Sequence, residues 1–347
     1  MSQALREIWH ADAPDRRAAW YPAAFAADGR VAFVTRSGVR RFLVAIDAQS
    51  QAVLWTYPWA VEPMLLHEGR LFAWVSDREA HLIDPATGET QRVFACPRPA
   101  YAVAVGPWLV GHAVDREYGG AFIFAVDWTS GRRAWTERLP GDVGFAERLC
   151  ASLNTVCYGQ RDGAIVARDL VTGIERWRRT FPERAAAESQ RLFHTSIVGT
   201  PAVHGNAVVL QVGGTAPARL TALGLDDGAT RWSATSESGF LVGDRYYSFE
   251  APDCTVRDAA SGATVDVVSP IRLLTPPVYG AALVGASPHY LLFSANDGTL
   301  LVVRRETGAL IGHHQPASAS NIHPPVVAPD GRLYYQNGLT LYALECV

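Results

Sequence analysis

The sequence predicts an all-β protein. The expected architecture is an eight-bladed β-propeller of four-stranded antiparallel blades, its ring closed by the N-terminal strand pairing with the C-terminal blade. Three observations carry the expectation. A turn of the form Asp-x-x-Ser/Thr-Gly recurs along the chain, a β-rich hairpin precedes each copy, and the two ends hold complementary halves of one more copy. The 347 residues, divided by eight, give a period of about 43, inside the range of propeller blades.

The copies justify the blades in order. Ala45-Ile-Asp47-Ala-Gln-Ser50-Gln51 leads to Trp55, and Leu82-Ile-Asp84-Pro-Ala-Thr87-Gly88 leads to Arg92. Ala125-Val-Asp127-Trp-Thr-Ser130-Gly131 leads to Trp135, and Ala167-Arg-Asp169-Leu-Val-Thr172-Gly173 leads to Trp177. Ala222-Leu-Gly224-Leu-Asp-Asp227-Gly228 leads to Trp232. Two weaker copies run from Val256 through Asp258 and Gly262 to Asp266, and from Val302 through Arg304 and Gly308 to Gly312. The aspartate can accept backbone N–H groups in an Asx-type turn, Ser or Thr supports the next donor, and glycine fits a left-handed position. Upstream of the units, pairs such as Asp28-Gly29, Glu68-Gly69, Gly205-Asn206 and Asp330-Gly331 mark further hairpins.

The eighth copy stops at Ala343-Leu-Glu345, and its missing outer strand is supplied by Leu5-Arg-Glu-Ile-Trp9. Pairing the two removes the free sheet edges that an open array exposes. The expected organisation is therefore one domain over 1–347, with seven continuous blades from about 20 to 315. The eighth is split between 322–347 and 3–11. The copies that end in Trp9, Trp55, Trp135, Trp177 and Trp232 are the five with alanine two residues before the turn: Ala343, Ala45, Ala125, Ala167 and Ala222. Elsewhere that position holds Leu82, Val256 or Val302. A small residue leaves room for an indole, and a larger aliphatic fills the gap where the indole is absent.

The repeated Ala-x-Asp-x-x-Thr/Ser-Gly-x-x-x-Trp resembles the pyrroloquinoline-quinone (PQQ) type repeat with its tryptophan-docking contacts, and the resemblance covers essentially the whole chain. That family includes quinoprotein dehydrogenases and the propeller lipoprotein of bacterial outer-membrane assembly. The resemblance implies a fold and leaves the activity open. Quinoprotein dehydrogenases resemble one another in a pair of adjacent cysteines and an acidic calcium site. This chain has no Cys-Cys, so no PQQ and no other cofactor is expected. The Trp-Asp signature of the WD40 type is absent.

Composition narrows the function further. All 31 basic residues are arginine, which excludes a lysine-bearing phosphate loop and Schiff-base chemistry. A net charge of −3 argues against nucleic acid or an anionic membrane as partner. Cys96, Cys150, Cys157, Cys254 and Cys346 have no metal-like spacing. Cys150 and Cys157 can be neighbours across a hairpin, with reduced buried thiols as the expected state. Glu7 and Asp12 interrupt the stretch where a signal peptide needs an apolar core, and no lipid-attachment cysteine stands there, so a cytoplasmic location is expected.

Candidate partner-binding residues come from the loops on one face. Arg116 and Tyr118 lie in a connection between second and third strands; Tyr57, Trp59, Trp20 and Tyr21 are aromatics on other connections of that face. The longest separation between turns, Gly173 to Gly228, contains a run of helix formers after Pro182. A short helix over 182–193 is expected there, presenting Arg184, Arg191, Phe193 and His194 to a partner or plugging the channel mouth. His313-His314 opens another accessory loop, with His314 as a candidate contact. Adjacent histidines with no completing carboxylate or cysteine do not make a metal site. The resulting expectation is a non-catalytic protein-interaction scaffold, an accessory or immunity-type partner of another bacterial protein. An enzyme or small-molecule binder with its site at the channel mouth is the alternative.

Overall fold

The computed structural model of the chain describes residues 5–12, 25–27, 30–37, 40–47, 50, 52–58, 61–115, 120–139, 149–160, 164–181, 201–212, 219–235, 238–250, 253–268, 282–295, 298–316, 325–328, 331–337 and 340–346. Every regular element among them is a strand. The first, β1 (Leu5–Asp12), stands apart from its chain neighbours, and the next 28 fall into seven consecutive sheets.

Sheet 1 holds β2 (Phe25–Ala27), β3 (Arg30–Ser37), β4 (Arg40–Asp47) and β5 (Val53–Pro58). Sheet 2 holds β6 (Val61–His67), β7 (Arg70–Trp74), β8 (Glu79–Ile83) and β9 (Thr90–Ala95). Sheet 3 holds β10 (Tyr101–Val105), β11 (Trp108–Asp115), β12 (Gly120–Asp127) and β13 (Arg132–Arg138). Sheet 4 holds β14 (Cys150–Ala151), β15 (Thr155–Gly159), β16 (Ala164–Asp169) and β17 (Glu175–Thr180). Sheet 5 holds β18 (Ala202–His204), β19 (Ala207–Val212), β20 (Arg219–Gly224) and β21 (Thr230–Thr235). Sheet 6 holds β22 (Ser238–Val242), β23 (Arg245–Glu250), β24 (Asp253–Asp258) and β25 (Thr264–Val268). Sheet 7 holds β26 (Ala282–Ala286), β27 (Tyr290–Ser294), β28 (Leu300–Arg304) and β29 (Leu310–His314). Sheet 8 holds β30 (Val326–Val327), β31 (Leu333–Asn337) and β32 (Thr340–Cys346), with β1 as its fourth strand in the order β1-β32-β31-β30.

All pairings are antiparallel, and all but β1–β32 follow chain order as meanders. The register of β1 on β32 runs from Leu5↔Cys346 through Trp9↔Ala343 to Asp12↔Thr340. The split of the last sheet between the two ends, read from sequence, is what the strand pairing contains.

Burial explains the sequence patterns. Middle strands are covered on both faces by neighbouring sheets and read as unbroken apolar runs: β15 is buried throughout, and β16 except at its last residue. Outer strands keep only alternate residues half-buried, as in β17. The core is a series of layers between consecutive sheets. Leu109, Phe124 and Trp128 of the sheet 3 region meet Phe72, Trp74 and Phe94 from sheet 2. Sheets 3 and 4, 4 and 5, 5 and 6, 6 and 7, and 7 and 8 share similar layers. Trp9, Tyr334 and Ala343 of sheet 8 pack with Val44 and Ile46 of sheet 1.

The Asp-x-x-Ser/Thr-Gly units connect the third and fourth strands. Gly88, Gly131, Gly173, Gly228, Gly262 and Gly308 all have φ between 65° and 75°. The register slips one residue beside each turn, for example between Ala125 and Val126 and between Ala167 and Arg168. This is the bulge that a left-handed glycine creates. The upstream hairpin at Glu68-Gly69 has both residues at positive φ.

Candidate functional site

The turns and the seams they form carry most of the polar chemistry in the described residues. In the sheet 4 turn, Asp169 Oδ1 accepts from Thr172 N (2.9 Å), Thr172 Oγ1 (2.9 Å) and Val171 N (3.1 Å), while Arg176 donates to Oδ2 at 2.7 Å. Led by the Arg176 bond, these donors hold the Asp169 carboxyl down at about 2. Asp127 and Asp258 are capped by their own Ser/Thr in the same way.

Each tryptophan then reaches out of its own sheet. Ala45, Ala125, Ala167, Ala222 and Ala343 are register partners of Trp55, Trp135, Trp177, Trp232 and Trp9. Four of the indoles donate Nε1–H to the turn of the following sheet: Trp55 to Pro85 O (3.1 Å), Trp135 to Leu170 O (2.8 Å), Trp177 to Leu225 O (2.8 Å) and Trp232 to Ala259 O (3.0 Å). The ring lies flat on that turn's glycine. A methyl group built on Gly88, Gly173, Gly228 or Gly262 would sit 2.5 to 2.8 Å from the indole above it. The turn glycine is thus required twice, for its φ and for its missing Cβ.

Where tryptophan is absent, other groups take the seam. Arg92 of sheet 2 donates to Trp128 O at 3.1 Å and to Thr129 O in the sheet 3 turn. Val268 of sheet 6 packs on Gly308. At the sheet 3–4 seam the buried Arg168 donates to Tyr158 Oη (3.0 Å), Gly173 O (2.8 Å) and Glu137 Oε1 (2.9 Å), joining β16 to β13. His112, 1% exposed, faces no hydrogen-bond partner at either ring nitrogen among the described residues, and burial pushes it down to about 4.

Two of the residues singled out from sequence as partner contacts lie in matching relays across seams. Tyr57 Oη on β5 shares hydrogen bonds with His81 Nδ1 on β8 and with Thr90 Oγ1 (2.7 Å); His81 Nε2 donates to Glu79 Oε1 at 2.8 Å. His314 on β29 shares a hydrogen bond at Nδ1 with Tyr335 Oη on β31 and donates from Nε2 to Glu7 Oε2 on β1 at 2.7 Å. His10 Nδ1 donates to the other Glu7 oxygen, also at 2.7 Å. Burial alone would raise the Glu7 carboxyl, but the bonds from His10 and His314 bring it below its usual range. Trp59, Arg116, Tyr118, Arg184, Arg191, Phe193 and His194 lie outside the described residues, as do Trp20, Tyr21 and the helix expected over 182–193.

Among the described residues no group of three or more His, Cys, Asp or Glu is placed to hold a metal ion. Cys150 and Cys157 are register partners between β14 and β15, and all five cysteines are free thiols. Sequence reading missed Glu7, His10, Arg168 and the glycine beneath each indole. The glycine partners were signalled by the repeat itself, since Gly88, Gly173, Gly228 and Gly262 each follow a Trp-bearing copy.

Comparison with known proteins adds the following. The PQQ_2 family model, described as "Outer membrane protein assembly factor BamB", matches residues 5–345. No curated protein sequence matches the chain significantly. Among solved structures, BamB from Moraxella catarrhalis is similar at a TM-score of 0.61 and 16% identity, over 98% of this chain and 97% of that one. The computationally designed Ika8 protein is similar at a TM-score of 0.67 and 16% identity, over 97% of this chain and 98% of that one. The C-terminal WD40 domain of Sif2 is similar at a TM-score of 0.67 and 13% identity, over 100% of this chain and 99% of that one. At these identities the likeness is one of fold.

Proposed function

The chain belongs to the PQQ_2 family, described as outer membrane protein assembly factor BamB, and on that footing we propose that it is a non-catalytic protein-interaction scaffold. The observation that carries the reading is the extent of the match. It spans residues 5–345, so it is the whole repeat array, rather than one loop, that resembles a family described as an assembly factor. Such a factor acts through other proteins.

In the proposal the eight sheets are the blades of one closed ring forming a single domain over 1–347, and β1 is the strand that completes it. The β1–β32 register and the layer between sheets 8 and 1 support closure. Trp9, Trp55, Trp135, Trp177 and Trp232 dock each blade on the next, with the indole bonds at four of those seams as support. A body tied at its seams presents its turns and loops with little ordering entropy left to lose on binding, which favours a platform.

Purification of the tagged full chain from its source organism tests the reading. The expected result is a protein that co-purifies stoichiometrically and dissociates without any small molecule being consumed. A chain that emerges alone, or carries a small molecule that it converts, overturns the scaffold role.

A further inference from the structure

Two of the five free thiols face each other. Cys150 on β14 is the register partner of Cys157 on β15. Across the turn of this hairpin Ser152 N donates to Thr155 O at 2.8 Å. Antiparallel pairs alternate in kind, so Cys150 and Cys157, two steps further along, are again a pair of the hydrogen-bonded type. Cα atoms in such a pair stand about 5.5 Å apart, inside the span of roughly 4.4 to 6.8 Å that a disulfide accepts. Both side chains enter the layer between sheets 4 and 5, beside Phe181, Val208 and Leu223. The two thiols hydrogen-bond to each other, and that contact together with burial holds the Cys157 proton on well above the ordinary thiol range. The resting state is the dithiol.

The other three thiols serve as a control within the same chain. Cys254 stands opposite Phe249 and Val268, Cys346 stands opposite Leu5 and hydrogen-bonds with Tyr290, and Cys96 donates to Pro97 O. Among the described residues, only Cys150 and Cys157 are opposed as a pair. Their strand is also the easiest part of sheet 4 to open. β14 is two residues long, lies at the edge of the order β14-β15-β16-β17, and pairs with β15 alone. An edge this short opens locally at a small fraction of the global stability. Cys150 sits on it, so each opening uncovers one of the two sulfurs.

We propose that Cys150 and Cys157 are a reversible redox pair whose disulfide fastens β14 to β15, with a peroxide as oxidant and a small thiol as reductant. Cys150, uncovered as β14 opens, attacks one oxygen of hydrogen peroxide as the thiolate. An S–O bond forms, the O–O bond breaks, and hydroxide leaves, taking the thiol's proton as water. Cys157 then attacks the sulfenic sulfur. The S–S bond forms, the S–O bond breaks, and hydroxide leaves with the second proton as another water. The two sulfurs give up two electrons, and one peroxide becomes two waters. Two molecules of the small thiol reverse the step: both cysteines regain their protons and the reductant leaves as its own disulfide. The proposal is independent of the scaffold reading.

Treatment of the full, folded chain with hydrogen peroxide tests it, read by intact mass, non-reduced peptide mapping and amide hydrogen exchange. The expected result is loss of the mass of two hydrogens, a link that maps to positions 150 and 157, and return to the starting mass with dithiothreitol. Amides of β14 and β15 are expected to exchange at least fivefold more slowly in the linked chain, while those of β10 and β11, the equivalent hairpin of sheet 3, stay unchanged. Cys157→Ser should give no link and leave Cys150 to gain oxygen instead, whereas Cys254→Ser should link as the parent does. The link is read in the parent chain, so the outcome does not depend on how well a variant folds. Oxygen added at Cys346 with Cys150 and Cys157 still thiols overturns the proposal, as does a chain that peroxide leaves unchanged. A link that forms only in urea overturns it too, because the fold would then hold the sulfurs apart. A link with unchanged exchange in β14 and β15 overturns the fastening of the strand.

Discussion

Gly69 and Gly173 have nearly the same backbone, φ of 70° and 72°, in different surroundings. A methyl group on Gly69 meets nothing within 4 Å, while one on Gly173 meets the Trp135 ring at 2.7 Å. Gly69→Ala is expected to cost about 1 kcal/mol for the left-handed conformation alone. Gly173→Ala adds overpacking against the indole and is expected to cost about 3 kcal/mol. Denaturant titration of both variants reads the difference; equal losses would show that the indole does not press on the glycine. His112 gives a second test. Its proton affinity falls from 6.5 in the open chain to about 4 in the fold. Stability contributed by the neutral ring is therefore intact above pH 6.5 and is lost as the pH falls toward 4, by about 3 kcal/mol in all. His112→Leu is expected to gain Tm relative to the parent as the pH drops through that window, and a constant Tm difference would contradict the assignment. The conformation of the turn glycines was legible in the sequence because a turn is local. Their indole neighbours were signalled only indirectly, by the Trp-bearing copy that precedes each of these glycines, because each contact joins one repeat to the next. The burial of His112 was signalled by the apolar run Trp108–Val114 around it, but the lack of a partner for its ring was not, because that depends on the neighbouring sheets.

At the scale of the turn, the carboxylates act as a set. Asp127, Asp169, Asp227 and Asp258 are all held below the usual aspartate value, chiefly by hydrogen bonds from their own turns and, at Asp169, first by Arg176. A depressed carboxyl stabilises the fold above the open-chain value near 4, and that contribution disappears as the pH falls toward 2. Asp169→Asn is expected to lower Tm by about 2–3 °C at pH 7, with the gap to the parent closing between pH 4 and pH 2. Thermal melts across that range check it, and a gap that persists at pH 2 would assign the turn's stability to something other than the charge. The Asp-x-x-Ser/Thr-Gly spacing was enough to place the bonds of Asp127, Asp169 and Asp258 from sequence, while Asp227 stands at the Ser/Thr position of its turn. The Tyr-His-Glu relays at Tyr57-His81-Glu79 and Tyr335-His314-Glu7 were not readable, because their members come from different sheets and follow no common spacing. Tyr57 and His314 stood out in the sequence as residues for a partner, and in the fold their polar atoms bridge neighbouring sheets.

For the molecule as a whole, periodicity revealed the eight four-stranded sheets because each repeat carries its own turn and hairpin signals. What periodicity could not reveal is which surface a partner uses, since function departs from the repeat rather than following it. The central claim is that the N-terminal strand completes the last sheet and so joins the two ends of the array. Leu5 stands opposite the native Cys346 in the β1–β32 register. Mild oxidation of Leu5→Cys, compared with the same substitution in a Cys346→Ser background, tests the claim most directly. The account predicts an intramolecular disulfide, seen on a non-reducing gel as a faster-migrating monomer only when Cys346 is present, with a raised Tm. A chain that remains unlinked, or links only into dimers, would contradict it.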